Sequence, residues 1–247
     1  MRIPYWQVEP EWAGETVAIL GGGPSLTQSQ VDACRGRCRV IAVNTAYRLA
    51  PWVDIVYFSD ELWHQWKRDK KSFRRLACLK VALENARTHW SEPAVKILHN
   101  YGGEPGLCEI RDGVYTGRNS GYQAINLAAH LGVARVILLG FDMRAVAGRT
   151  HWHSGTDDAH QRGTAPEDFK NVMLPWFSTL VEPCKARGIE IVNCTPGSAI
   201  ECFPKAMLET ALPQMRRMEI AGSVSRRPVD AVVQGQTLQE LQEKRAP

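Results

Sequence analysis

The sequence predicts an α/β fold, a Rossmann-like parallel sheet with helices on both faces. Three observations carry this. Short apolar runs recur along the chain and are continuous rather than alternating, as strands covered on both faces require. Segments with helical spacing or helix-compatible length separate several of them. Glycine, Asn, Asp or Thr stands where the runs stop, and in an open parallel sheet ligands bind beyond the carboxyl ends of the strands.

The elements follow in order. Residues 1–15 read as an irregular N-terminal arm. Thr16–Leu20 (TVAIL) is the first buried strand, stopped by Gly21, Gly22 and Gly23. Residues 24–35 have room for a helix, with Pro24 in its first turn, where N–H groups lack intrahelical partners. Arg39–Val43 (RVIAV) is a second strand ending at Asn44, and Asp54–Phe58 a third ending near Asp60. Val95–Leu98 is a fourth, followed by a glycine-rich stretch of low regularity from Asn100 to Arg118. From Ser120 to Leu131, Ala124, Leu127, Ala128 and Leu131 share one helical face. Ser120 or Asn119 can cap this helix and Gly132 ends it. Arg135–Leu139 (RVILL) is the next strand, closing on Gly140, Phe141 and Asp142. A loop rich in His, Gly and Asp precedes a helix expected over 166–186 and a last strand over 190–193. Residues 16–220 are expected to form one nucleotide-binding domain, and the polar, proline-punctuated residues 221–247 a loose tail.

Composition narrows the function. The chain has 247 residues, 44% hydrophobic, with a net charge of +4 of mixed sign. That is enough for a sizeable core. No block of like charge reads as a nucleic-acid arm, so no specific nucleic-acid partner is expected. No stretch approaches the ~20 apolar residues of a membrane span, and no signal peptide is visible. The seven cysteines (Cys34, Cys38, Cys78, Cys108, Cys184, Cys194 and Cys202) are odd in number and scattered. They suit a reduced, cytoplasmic chain better than a disulfide or four-ligand zinc framework. An oligomer is compatible with all of this.

The residues that carry chemistry lie at the strand ends. Glycines 21–23 let backbone N–H groups approach a phosphate, and a following helix N-terminus favours negative charge. The loop is neither a dinucleotide fingerprint, because Leu26 stands in place of the third glycine, nor a P-loop, because no Gly-Lys-Ser/Thr follows. Asn44 can both donate and accept, and so can contact a ribose, a base or a sugar. The purely structural alternative is a tight strand–helix turn.

Three of the 7 histidines, His151, His153 and His160, fall within ten residues. One reading makes them general bases. A second makes His151, His153, Asp157 or Asp158, and His160 ligands of a divalent metal, Mg or Zn, in a metal-dependent hydrolase. A third makes the loop merely solvated. Arg118-Asn119-Ser120-Gly121 opens a helix whose amides can be capped by a side chain or can hold an anion.

Together these residues resemble two related groups: bacterial sialyltransferases that use CMP-sialic acid, and the MptE-like group named for archaeal 6-hydroxymethylpterin diphosphokinase. The resemblance covers about residues 16–204, with gaps. It rests on Gly21-Gly22-Gly23-Pro24-Ser25-Leu26, Val43-Asn44-Thr45 with Asp54 and Asp60, Asn119-Ser120-Gly121-Tyr122, Leu138 to Asp142, His153-Ser154 and Cys194-Thr195-Pro196-Gly197-Ser198. It implies nucleotide or nucleotide-sugar contacts at Gly21, Gly23, Pro24, Ser25, Asn44 and Ser120, and Gly22, Asp60, Asn119 and Gly121 beside them are further candidate contacts. It also implies a catalytic base at His153; His151 and Asp142 are further catalytic candidates. Two features depart from the sialyltransferases: Gly22 replaces their Asn, and residues 143–150 contain no Tyr, so Arg144, Arg149 or a metal would take the charge of the leaving phosphate. The expected function is glycosyl or diphosphoryl transfer from a nucleotide donor, or else nucleotide binding without turnover.

Overall fold

A computed structural model of the chain describes residues 4–60, 71, 73–84, 95–153 and 165–214. Met1–Met215 form one compact unit. The expected tail, and Asp157, Asp158 and His160, lie outside the described residues.

The strands are β1 (Thr16–Leu20), β2 (Arg39–Val43), β3 (Ile55–Phe58), β4 (Leu79–Leu83), β5 (Val95–Asn100), β6 (Gly113–Val114), β7 (Arg135–Leu139) and β8 (Glu190–Asn193). They form a sheet in the order β6-β5-β4-β3-β2-β1-β7-β8. All seven pairings are parallel. The Rossmann-like fold expected from the apolar runs is therefore what the chain adopts. It winds outward from β1 to β6, returns, and places β7 on the other side of β1. The strand order thus reverses between β1 and β7.

Side-chain alternation along each strand feeds two cores. Val17, Ile19, Ile41, Val43, Val136 and Leu138 pack on α2 (Ser120–His130) and on Phe177 and Leu180. Ala18, Leu20, Val40, Ala42, Ile137 and Leu139 pack on the other face, against α1 (Gln28–Cys34) and against Leu208 and Ala211 near the end of the described chain. In α2 every residue from Gly121 to Ala128 is buried, because the helix is wedged between sheet and covering segments. Burying a side chain such as Ile125 or Leu127 contributes about 1.5–3 kcal/mol.

The structure corrects three expectations. α1 begins at Gln28, not at Pro24, because Thr27 caps it in a reciprocal box with Gln30. A strand unmarked in the apolar pattern, β4, carries Lys80 at its second position. Its ammonium donates to the Leu76 carbonyl at 2.9 Å and lies 5.7 Å from the Phe73 ring, so a buried lysine is accommodated. The edge strand β6 is only two residues long. The helix expected over 166–186 is broken into α3 (Pro166–Asp168), a π turn (Phe169–Met173), α4 (Leu174–Phe177), a 3₁₀ turn (Ser178–Leu180) and α5 (Val181–Ala186). Pro175 and Pro183 have no N–H to donate and crowd the carbonyl four residues back, so each stands in the first turn of a new short α segment rather than inside one continuous helix. α6 (Leu208–Ala211) completes the described helices.

The N-terminal arm is irregular but stitched to the domain. Trp6 N–H donates to Ile97 O at 2.8 Å and Trp12 N–H to Leu131 O at 2.9 Å, with Val8 and Trp12 buried.

Candidate functional site

Parallel registry aligns the carboxyl ends of the central strands. Leu20 lies beside Leu139 and Ala42, Val43 beside Tyr57, and Leu138 beside Asn193. With strands about 4.8 Å apart, the glycine loop, Asn44, Ser59, Gly140 to Asp142 and Thr195 form one rim centred on the reversal between β1 and β7. That is where open α/β sheets bind ligands.

The glycine loop does something other than cradle phosphate with all its amides. Gly21 N–H donates to Leu139 O (2.7 Å) and Gly23 N–H to Gly140 O (2.8 Å), so both amides are committed to β7 and its loop. None of the three glycines has a positive φ. They are needed for closeness. A Cβ on Gly21 would stand 2.5 Å from Gly140 O, and one on Gly23 would stand 2.0 Å from Asp142 Oδ2 and 2.6 Å from Gly140 O. Gly22 differs: a Cβ there would meet only the His151 ring, at 3.2 Å. Pro24 lies in the turn before α1, half-buried. The Gly21 and Gly23 amides are thus engaged with carbonyls of β7 and the residue after it, and at the start of α1 the Thr27 side chain accepts from Gln30 N–H.

Asp142 is the buried floor of the rim, 1% exposed. Ser25 Oγ donates to its Oδ2 at 2.9 Å. Burial pushes this carboxyl above the usual carboxylate range, while the Ser25 hydroxyl and amide oppose the shift. The loop after β8 holds Asp142 in place. Ala199 N–H donates to the Asp142 carbonyl (2.9 Å), Ser198 Oγ to Phe141 O (2.6 Å), and Phe141 N–H to Thr195 Oγ (3.0 Å). Thr195 and Ser198 thus position the β7 loop; their role was not evident from the sequence, where they are two polar residues of a C-x-P-x-S segment.

On the β2 and β3 side, Asn44 adopts φ = 51°, a left-handed conformation that Asn tolerates better than most residues. Asn119, not Ser120, caps α2. Its Oδ1 accepts from Gly121 N–H (2.7 Å) and Tyr122 N–H (3.2 Å), so these amides are not available to an anion. Ser120 Oγ instead pairs with Ser59 Oγ at 2.7 Å, which links the end of β3 to the start of α2. A Cβ on Gly121 would lie 2.5 Å from the Phe141 ring, so α2 packs directly on the β7 loop. Asp60 is exposed, one residue beyond Ser59.

The histidine segment folds back onto this rim. A two-residue hairpin, Ala147 (φ 48°) and Gly148 (φ 74°), is closed by paired bonds between Val146 and Arg149 of 2.9 and 3.0 Å. It turns the chain so that Trp152 N–H donates to Gly22 O at 3.0 Å. His151 and His153 lie with ring centroids 5.3 Å apart, and Trp152 stacks edgewise on His153 at 5.2 Å. His153 is buried. Burial, and secondarily His153, lowers His151 to about 4, so its imidazole is neutral at pH 7. Among the described residues, no group of three or more His, Cys, Asp or Glu side chains is arranged to hold a metal ion. Asp157 and His160 lie outside them.

Three buried polar atoms of this rim have no hydrogen-bond partner within the protein among the described residues: Asn44 Oδ1, Asp142 Oδ1 and Trp152 Nε1. Buried polar groups are almost always satisfied, which makes these three atoms the candidate contacts for a ligand. By contrast, an open cavity of about 390 Å³ between Trp12, Trp52 and Arg39 lies at the amino edge of the sheet, away from every one of these groups. Its arginine is already paired with Glu15 and Asp54.

No family model matches the chain, and no curated protein matches it in sequence. Among solved structures it is similar to the sialyltransferase CstII from Campylobacter jejuni, in complex with a substrate analogue, cytidine-5'-monophosphate. The identity is 14%, the TM-score 0.47, and the alignment covers 78% of this chain and 85% of that one. The likeness is distant. No described helix is long and apolar enough to cross a membrane.

Proposed function

We propose that the chain binds a nucleotide or nucleotide-sugar at the β1/β7 rim and transfers a glycosyl group from it. The observation that carries this reading is the gathering of Asn44 Oδ1, Asp142 Oδ1 and Trp152 Nε1, all buried and unpartnered within the protein, at the strand-order reversal. Two of the three are acceptors. They suit the hydroxyls of a ribose or sugar, or a base amino group, rather than a bare phosphate, which an adjacent carboxylate would repel. Trp152 Nε1 offers a donor to the same ligand. Arg144 and Arg149, both exposed beyond β7, supply the nearby cationic charge that a phosphate needs.

Within this reading His153 takes the proton from the acceptor hydroxyl as the donor's phosphate leaves, and His151 stays neutral. A base near 4 holds a transferred proton poorly at pH 7, whereas catalysis favours a base matched to the working pH. Trp152, tied to Gly22 and stacked on His153, fixes where that imidazole points.

The test compares wild type with His153→Ala for release of the nucleotide from a nucleotide-sugar, alongside direct binding. Loss of a general base should lower turnover by roughly 10²–10⁴-fold with affinity unchanged. Equal turnover overturns the role of His153. Binding without product from wild type under any condition reduces the protein to a nucleotide-binding module, and turnover that requires added divalent metal points instead to diphosphoryl transfer or hydrolysis.

A further inference from the structure

The three unpartnered atoms of the rim differ in kind. Asn44 Oδ1 and Asp142 Oδ1 are oxygens, whereas Trp152 Nε1 carries a hydrogen. An indole N–H donates and cannot accept, so on a ligand it matches an oxygen such as that of a phosphate or a carbonyl. The side chain that bears it is held in place. Trp152 N–H donates to Gly22 O at 3.0 Å, and the ring meets the His153 ring with centroids 5.2 Å apart and planes at 73°. The ring also packs on the core face that contains Leu20, Ala42 and Leu139.

Charge around the rim divides along the same line. The ends of β2 and β7 present acceptors, one of them the Asp142 carboxylate, which repels an anion. The segment 149–153 presents the opposite character: the exposed Arg149, then the Trp152 N–H, then His153. A ligand's anionic group is drawn to this segment, and its hydroxyl or amino groups to Asn44 and Asp142.

We propose, on the transferase reading of the rim, that Trp152 is a further catalytic residue, whose Nε1–H donates a hydrogen bond to the phosphate oxygen at which the glycosyl bond breaks. In the transfer step a lone pair of the acceptor hydroxyl forms the new C–O bond at the glycosyl carbon. The bond from that carbon to the phosphate oxygen breaks, and its electron pair stays on the phosphate. The hydroxyl proton goes to His153. The nucleotide leaves with one more negative charge, centred on the oxygen that faces the indole. Trp152 transfers no proton. Its N–H is fixed before the reaction begins and binds the charged oxygen more strongly than the ester oxygen of the ground state. One such preorganised donor contributes about 10²–10³-fold to kcat.

The test follows the indole signals of the ¹⁵N-labelled full chain. Each of the 8 tryptophans gives one indole N–H resonance, and Trp152→Phe, which keeps a ring for the core and removes the N–H, identifies that of Trp152. Through-bond assignment of wild type serves the same end should that variant melt early. Cytidine, adenosine, guanosine and uridine are titrated in parallel with their monophosphates and with CMP-sialic acid and UDP-sugars. The Trp152 resonance is expected to move downfield with a nucleotide and to stay in place with the matching nucleoside. In Trp152→Phe, release of nucleotide from a nucleotide-sugar should fall about 10²–10³-fold in kcat with KM little changed. A nucleotide that binds in an Asn44-dependent way yet leaves the Trp152 resonance in place overturns the role of Trp152 and spares the reading of the rim, as does an unchanged kcat in Trp152→Phe. Absence of binding by every one of these ligands overturns both.

Discussion

Replacing Gly23 by alanine tests how the rim is built. An ideal Cβ at that position would lie 2.0 Å from Asp142 Oδ2 and 2.6 Å from the Gly140 carbonyl oxygen. Rotating Asp142 relieves only the first contact. The second is backbone, so the β1 and β7 loops must separate by most of an ångström, and the Gly23 N–H to Gly140 O bond of 2.8 Å stretches with them. Overpacking of this kind costs about 1–3 kcal/mol, and a weakened hydrogen bond adds about 0.5–1.5 kcal/mol. For a domain of this size each kcal/mol lowers Tm by about 2–4 °C, so Gly23→Ala should melt roughly 3–18 °C below wild type. Gly22→Ala is the control. Its Cβ touches only a His151 ring carbon at 3.2 Å, which can shift, and Tm should change by less than about 2 °C. Adding Asp142→Ala to Gly23→Ala should recover only part of the loss, because Gly140 O remains. Differential scanning calorimetry of the set decides the matter. Equal melting of the Gly22 and Gly23 variants, or full recovery in the double variant, would refute the close-approach explanation.

Two further predictions concern charge. Asp142 is held above the usual carboxylate range by burial, so the folded state binds its proton more tightly than the unfolded state, and stability falls as pH rises through that interval. Asp142→Asn should therefore be at least as stable as wild type at pH 7, with the difference closing in acid, yet lose ligand affinity; denaturant melts at several pH values check both. His151 behaves in the opposite sense. Its folded value of about 4 lies below that of a free histidine, so the unfolded state binds the proton more tightly, and the stability is present above pH 6.5 and lost as pH falls towards 4. A shift of that size is worth roughly 3 kcal/mol at most. His151→Gln should flatten that part of the stability–pH curve, and an unchanged slope would show that His151 is not buried as neutral imidazole.

The sequence makes the central strands legible because they are fully buried. β1, β2, β7 and β8 are apolar runs that stop at glycine or Asn. β4 escapes that pattern because Lys80 interrupts it, and only the Leu76 carbonyl and the Phe73 ring, set by the tertiary fold, explain why a lysine fits. The break in the helical run is written in Pro175 and Pro183, but the π turn that accommodates it depends on packing. At the site, position is more legible than role. Gly21, Gly23 and Asp142 do meet, but the partners of the glycine amides are β7 carbonyls more than a hundred residues away, which no local motif encodes. The choice of Asn119 over Ser120 as the cap likewise follows from Ser120 pairing with Ser59 across the sheet. Trp152 lies inside the conspicuous histidine run, and its bond to Gly22 becomes apparent only once the Ala147-Gly148 hairpin folds the segment back.

The most direct test of the account is titration of the purified protein with CMP, CMP-sialic acid, ATP, GTP and UDP-sugars, with and without divalent metal, in wild type and in Asn44→Ala. Wild type is expected to bind at least one of these ligands saturably and one-to-one, with a stabilisation of about 2.7 kcal/mol at a hundred times Kd, and Asn44→Ala to bind it at least tenfold more weakly. Binding that is indifferent to Asn44 would place the ligand away from the β1/β7 rim, and no binding of any nucleotide would contradict nucleotide recognition by this chain.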